Sequence, residues 1–468
     1  MLTYQDFLKV PDNENERMQF IKRVINEHKA SKLYSDAIIA DEYMRQQNRT
    51  IKEYQKLLYS VTGQAIPDNY SANYKMPSNF FKRFVTQENQ YLLGNGVTWK
   101  NEATGKKLGE DFDTQLQKVG KWALSGAVSY GFWNYDHLDV FAITEYAPLV
   151  DEENGAMMAG VRFWQVDVKK PLRATLYEID GYTDYIWNTR DNVEGQVLVE
   201  KRPYILKTKT SVADGTEIYA GENYPSFPIV PLWGNPEKQS MIAGLREQID
   251  CYDLIKSGYA DNVDEGSLIY WTLNNAGGMS DVDLAQFVQR MKTMHAAKTD
   301  DDVTAESHNI EAPYQSREAL LAKIRSDLYE DAMALDTKKI ANGAITATQI
   351  KAAYEPLNSK TDEYEYCVRE FIKGILEVAG IEDEPVFTRS AIVNSQEEIQ
   401  LVIQAGQFLP EEYATRKILT LLGDGDLADD ILKQIDADEL DRFMGANGVN
   451  KTEDEEQADE EENGEGEA

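Results

Sequence analysis

Two stretches with helical spacing, residues 240–262 and 316–335, stand on either side of a short insert, and few folds accommodate that order. In the first, Ile242, Leu245, Ile249 and Tyr252 recur three and four residues apart, continuing to Ile255 and Tyr259. In the second, Leu320, Ile324, Leu328 and Leu335 form a comparable stripe. Narrow stripes of this kind pack on neighbouring helices. The insert reads as a strand over 267–273, a turn at Gly277-Gly278, a helix over 281–294 and a polar run over 299–309. A helix pair carrying a small unit at its tip is an unusual layout for an enzyme.

The segments before this pair set the fold class. Residues 13–28 and 30–47 have helical periodicity through Met18, Ile21, Val24 and Ile25, then Leu33, Ala37, Ile38 and Tyr43. A third helix is expected over 78–93, with Ser78 as its N-cap and Gly94-Asn95-Gly96 ending it in positive φ angles. A helix over 111–125 precedes alternating or aromatic runs at 128–135, 138–144, 158–168, 173–179, 182–188, 204–210 and 217–220. Turns at Asn154-Gly155, Asp180-Gly181 and Asp214-Gly215 separate several of these runs, as in an antiparallel sheet of hairpins. The passage holding Pro225, Pro228, Pro231 and Pro236 reads as a boundary.

Downstream, 336–345 reads as a loop. Thr346 or Thr348 is placed to cap a long helix reaching Val378, kinked at Pro356 and stopped by Gly380. Helices over 395–406, 410–422 and 427–444 close the folded part, and an acidic tail expected to be disordered comes last. The fold class is therefore α+β, mainly helical.

Charge narrows the partners. With 81 acidic and 48 basic residues in 468, the net charge is -33; the final eighteen residues carry -9 of it, leaving -24 on the body. Such a body repels phosphate backbones and anionic membrane surfaces, so tight DNA binding and membrane association are not expected. Solubility alone is a sufficient reason for an acidic surface. Cys251 and Cys367 make neither a disulfide framework nor a zinc site and fit a reduced, intracellular origin. No basic region followed by an apolar run opens the chain, so no signal peptide is expected. No stretch approaches the roughly twenty apolar residues of a membrane span.

Catalytic equipment is sparse. No phosphate-loop, dinucleotide, nucleophile-elbow or zinc-protease motif occurs. His28, His137, His295 and His308 lie in unrelated segments without ligand spacing. Asp136 and Asp139 flank His137, but a hairpin turn accounts for them. Asp281 and Asp283 fit an N-cap and a first-turn acid. Asp424-Gly425-Asp426 lacks the later ligands of a calcium loop. No enzyme activity, cofactor or metal is expected. Lys338 and Lys339 precede Asn342-Gly343, and an ordinary helix end explains them as readily as DNA contact does.

Several phrases, in order, carry a family resemblance. Ala334-Leu335-Asp336-Thr337-Lys338-Lys339-Ile340-Ala341-Asn342-Gly343-Ala344-Ile345-Thr346-Ala347-Thr348-Gln349-Ile350 resembles the end of the second stem helix, the tunnel loop and the start of the long helix in portal proteins of tailed phages of the SPP1 type. Asn89-Gln90-Tyr91-Leu92-Leu93-Gly94-Asn95-Gly96-Val97 is similar to a helix end of that family. Phe227-Pro228-Ile229-Val230-Pro231-Leu232 with residues 245–250 is similar to its approach to the stem. The match runs in order over about 13–380.

The resemblance implies a β-rich wing over 1–236, stem helices over 237–262 and 316–335, and a small α/β clip over 263–315. A tunnel loop over 336–345, a long kinked helix over 346–380 and a helical crown over 381–446 come next, ahead of a tail over 447–468. It implies a homo-oligomeric ring, typically a dodecamer, at one capsid vertex of the virion, made in the host bacterial cytoplasm. DNA enters and leaves through that ring, in weak contact with it. Terminase motor, head-tail adaptor, capsid and scaffolding proteins are the implied partners. On this reading Lys338, Lys339, Asn342 and Gly343 lie at the tunnel loop. Ile242, Leu245, Ile249, Tyr252, Leu320, Ile324 and Leu328 make ring contacts on the stem. Two other readings are a different virion ring or adaptor component and a metal-dependent nucleic-acid enzyme.

Overall fold

The computed structural model describes residues 2–59, 63–69, 71–167, 169–188, 195–210, 217–266, 270–274, 280–294, 304–308, 314–340, 347–390, 395–423 and 425–435. The chain divides into two compact units, one of residues 1–336 and 356–390, the other of residues 337–355 and 391–468.

The first unit opens with helices Glu14–Lys29 and Lys32–Met44, capped by the side chains of Asn13 and Ser31. The inward stripe of Glu14–Lys29 comprises Met18, Ile21, Val24 and Ile25, as its spacing predicts. It buries against the five-stranded sheet Gln196–Arg202, Gly181–Trp187, Leu172–Glu178, Met157–Trp164 and Tyr146–Val150, antiparallel throughout. From the sheet come Leu149, Val161, Phe163, Leu176, Tyr185 and Trp187. Each fully buried side chain of this size stabilises by about 1.5–3 kcal/mol.

A second sheet has the order Ile229–Trp233, Val128–Asn134, His137–Ala142. The proline passage expected to be a boundary thus contributes an edge strand. Pro231, lacking an N–H, is tolerated there because one side of an edge strand needs no ladder. An aromatic layer of Tyr130, Phe132, Phe141, Tyr146 and Tyr177 joins the two sheets. Gly131 faces the ring of Phe371, and a Cβ there would come within 2.5 Å of it.

The central core combines helices Phe80–Leu93 and Phe112–Gly126 with the part of Ala347–Ala379 beyond Pro356. Phe81, Phe84, Leu92, Leu116, Val119, Tyr364, Phe371 and Ile375 are all at 1% exposure or less. The helix expected from 78 begins at Phe80 behind Asn79, with no side-chain cap bond. Its terminator needs only one positive φ, at Gly96 (+73°); Gly94 is right-handed. Strand Val97–Trp99 pairs with Pro385–Phe387 from far along the chain. The long helix continues through Pro356, and Gly380 (φ +66°) comes directly after its last residue. Thr348 sits inside that helix and not at its cap, while Thr346 lies outside the described residues.

The insert keeps the expected order with one addition. Strand Tyr270–Asn274 and helix Asp281–Met294 are present, and the polar run contains a strand, Thr304–His308, that pairs antiparallel with the first. Polar composition concealed it.

The second unit holds the short helix Thr337–Ile340, the first turns of the long helix, and helices Ser395–Ala405 and Glu411–Leu422. Gly423 ends the last of these in the left-handed region. Residues 428–435 are helical, and the acidic tail lies outside the described residues.

Candidate functional site: a helix pair and its polar joint

The bracketing helices are Ile242–Gly266 and Tyr314–Asp331. Gln248 meets Asp331, Arg317 donates to the Gly258 carbonyl at 3.1 Å, and Tyr259 packs edge-on against Tyr314. These pairings run in opposite directions along the two helices. The pair is therefore an antiparallel hairpin, with the insert at the 266/314 end.

Its apolar stripe works inside the chain. Ile242, Leu245, Ile249 and Leu328 are between 0% and 5% exposed within the central core. Tyr252 and Ile324 pack on the same core half-buried. Of the seven residues expected to face neighbouring subunits, only Leu320, at 46%, is exposed. Within the chain, the helix Phe80–Leu93 covers that face, with Phe80 edge-on to Tyr252 at 5.0 Å and Phe84 edge-on to Tyr329 at 5.2 Å.

A different face of the first helix carries a polar ladder that apolar spacing does not announce. Asp250, Asp253, Ser257 and Asp261 recur at steps of three, four and four, so they share one face. Asp250 accepts from Thr50 Oγ1 at 2.7 Å and from the Tyr43 hydroxyl. Asp253 accepts from the Ser78 N–H at 2.8 Å and from the Asn48 amide. Ser257 Oγ accepts from the Met76 N–H at 3.0 Å. Asp261 accepts from the Tyr74 N–H at 2.7 Å and pairs with Lys56 at 3.1 Å.

Alternate amides of the extended segment 74–78 thus bond to successive turns of the helix. Asp253, Ser257 and Asp261 are each 3% exposed or less. Burial pushes the Asp253 carboxyl above its ordinary pKa, opposed by the bonds from Asn48 and Ser78. Burial, with Asp250 as an acceptor, pushes the Tyr43 phenol up to about 12, so it stays a donor. The ladder was visible in principle as a second period beside the apolar one, roughly 100° round the helix. Carboxylates on a helix are ordinarily solvated, which is why spacing alone does not reveal it.

The far end of the second helix is a joint of the same character. After Asp331 the backbone turns through Met333 in the left-handed region (φ +50°), where glycine is the usual occupant. Gln87 then grips Leu335 on both sides, accepting from its N–H and donating to its carbonyl, each at 3.1 Å. Arg325 holds Asp336 with two bonds of 2.8 Å and lies over the Tyr329 ring; Arg83 donates to the Tyr329 hydroxyl at 2.6 Å. Lys360, from the long helix, bonds Glu88 at 2.7 Å and the Ala332 carbonyl at 3.1 Å. Glu88 is 2% exposed, and burial raises its pKa against the pull of Lys360.

Of the four expected loop residues, Lys338 is exposed on the short helix Thr337–Ile340. Lys339 is on the same helix. Asn342 and Gly343 lie outside the described residues.

The chain matches, over residues 25–439, the family described as phage portal protein, SPP1 Gp6-like. It belongs to that family. The portal protein of Bacillus phage SPP1 is 22% identical over 435 residues, covering 85% of this chain and 82% of the relative. The portal protein of Clostridium phage phiCD119 is 26% identical over 208 residues, 41% of this chain and 45% of the relative. Among solved structures, a chain from the neck of a native gene transfer agent particle computed with C12 symmetry has a TM-score of 0.42 at 10% identity. That likeness covers 72% of this chain and 89% of the other. A chain from the virion of a native gene transfer agent particle has a TM-score of 0.41 at 10% identity, covering 74% and 89%.

The portal protein family is a structural one. Among the described residues no three or more His, Cys, Asp or Glu gather to hold a metal ion, and no helix is long and apolar enough to cross a membrane. Asp136, His137 and Asp139 sit at the exposed turn of the hairpin Val128–Asn134/His137–Ala142. His28 is buried with Nε2 at 2.7 Å from the Ile143 carbonyl, and burial lowers its pKa. Ser280, not Asp281, caps the insert helix, in a reciprocal box with Asp283.

Proposed function

We propose that the chain forms a closed ring, twelve subunits in the usual portal number, at one capsid vertex of a virion. Double-stranded DNA would pass through its centre during packaging and ejection. The observation carrying this reading is the family match over residues 25–439 together with an antiparallel helix pair bearing a small α/β insert. Residues 1–236 would form the wing, the helix pair the stem, 263–315 the clip and 381–446 the crown. The clip is assigned to the terminase motor and then the head-tail adaptor, and the outer surface to capsid and scaffolding proteins. Synthesis in the bacterial cytoplasm belongs to the same reading.

The net charge of -33 suits a conduit. Carboxylates repeated around a wall repel phosphates and keep DNA sliding. Lys338 and Lys339 are the proposed exception, brushing the passing backbone at the tunnel loop. Electron microscopy of purified protein tests the ring: closed particles with a central hole are expected, and a monomer under all assembly conditions would overturn the reading. A Lys338→Ala/Lys339→Ala variant should package DNA more slowly; unchanged rate and amount would remove the loop contact.

A further inference from the structure

A pocket of about 230 Å³ opens where residues 51–56 and Tyr74 meet the helix Ile242–Gly266 and the start of Tyr314–Asp331. Ile51 and Leu254 give it an apolar wall, and Tyr54 and Tyr74, 43% and 49% exposed, an aromatic one. Small-molecule and cofactor sites ordinarily take roughly 300–1,000 Å³, so this pocket is sized for a single side chain.

Its charge is positive. Lys56, Arg317 and Asp261 line it, and Lys56 pairs with Asp261 at 3.1 Å. Half-buried Arg317 meets neutral oxygens instead. It donates to the Gly258 carbonyl at 3.1 Å and, with the Asn262 amide turned to face it, to the Asn262 oxygen from both Nη atoms. Among the described residues it has no carboxylate partner, in a chain of 81 acidic and 48 basic residues. Those bonds leave Nε–H and one hydrogen of Nη2, the adjacent pair of donors that grips a carboxylate with two parallel bonds.

Gly258, on the pocket wall, points the same way. Inside a helix glycine is unfavourable relative to alanine, and a crowding neighbour is the usual reason for keeping it. Here an added Cβ would meet nothing within 4 Å. The chain itself gives no cause for the missing side chain, and its absence keeps space open beside Arg317.

We propose that the pocket receives one acidic side chain of the neighbouring copy in the ring, its carboxylate held by Arg317 and its methylenes against Ile51 and Leu254. Copies this rich in carboxylates repel wherever they meet unless some of those groups find a cation. A pocket on one patch filled from a different patch of the next copy is a head-to-tail contact, which a rotation can close. The inference rests on the ring proposed above and names one contact within it.

Gly258→Met tests it by filling the pocket while leaving the cation in place. The subunit should unfold at or above the parent's temperature, because methionine is the better helix former, while the ring fraction falls at least several-fold. Arg317→Lys keeps the charge and supplies a reactive amine. In rings mixed from light and nitrogen-15 copies, a carbodiimide should join that amine to the incoming carboxyl carbon, whose oxygen leaves with the reagent as a urea. The isopeptide should link a light peptide to a heavy one and so identify the acid. Rings indifferent to Gly258→Met, with an isopeptide formed only within one copy, would overturn the docking and leave the portal reading in place. Glutarate titrated into unassembled protein separates the sources of the carboxylate. Saturable binding that Gly258→Met abolishes, with rings unaffected, would assign the pocket to a free small carboxylate and overturn the contact between copies. Absence of rings from the unmodified protein would instead overturn the ring itself, and this contact with it.

Discussion

Two faces of the helix Ile242–Gly266 are held by different physics. On one, Ile242, Leu245 and Ile249 sink into an apolar core whose attraction has no preferred direction. On the other, Asp253, Ser257 and Asp261 bond to particular amides, and a slip of one residue would break every bond. An apolar face says only that the helix is held; the ladder says at which register. The same division separates the two sheets, with their aromatic layer, from the joint at Leu335 and Asp336, where Gln87 and Arg325 act through directed bonds.

Truncating the apolar side should do the greater damage. Phe141 is 1% exposed, stacks near Tyr146 and lies under Arg162. Phe141→Ala is expected to cost about 3–5 kcal/mol, read as a lower denaturation midpoint; a loss below about 1 kcal/mol would mean that the aromatic layer collapses to fill the space. Asp253→Ala comes next, at about 2–3 kcal/mol, because the Ser78 N–H and the Asn48 amide lose their acceptor. Hydrogen exchange should quicken at the amides of Tyr74, Met76 and Ser78 in that variant. Unchanged exchange there would deny the ladder its role in register.

The smallest effect concerns pH. Burial holds the folded-state pKa of Glu88 above its unfolded value. The stability it contributes is therefore fully present below the unfolded pKa, about 4.3, and is lost as pH rises through the folded one. The stability of Glu88→Gln relative to the parent should improve as pH is raised from about 4 toward neutrality. A difference that stays flat would show that Lys360 fully offsets the burial.

The residues alone were legible along the same division. Periodic apolar spacing located the helices around Met18–Ile25 and Ile242–Ile249, and turn dipeptides located the three hairpins 146–164, 172–187 and 205–222. Pairings that join distant segments left no local trace, such as Val97–Trp99 with Pro385–Phe387. Strand Thr304–His308 was hidden because its sequence has no alternation of large apolar residues; only its pairing with Tyr270–Asn274 reveals it. The apolar stripe of Ile242–Gly266 was legible as buried, while spacing does not name what covers it; within the chain that is the helix Phe80–Leu93. The ladder escaped in part because three of its donors, at Tyr74, Met76 and Ser78, are backbone amides, which every residue but proline possesses.

The ladder has a consequence for how the chain is made. Tyr74 and Asp261 are 187 residues apart, so the ribosome delivers the amide well before its acceptor, by roughly 10–40 s at ordinary elongation rates. An apolar surface left waiting that long invites misassociation. A row of amides does not, because water satisfies each one until the helix arrives, and the N-terminal segment can wait in solution for its place beside that helix.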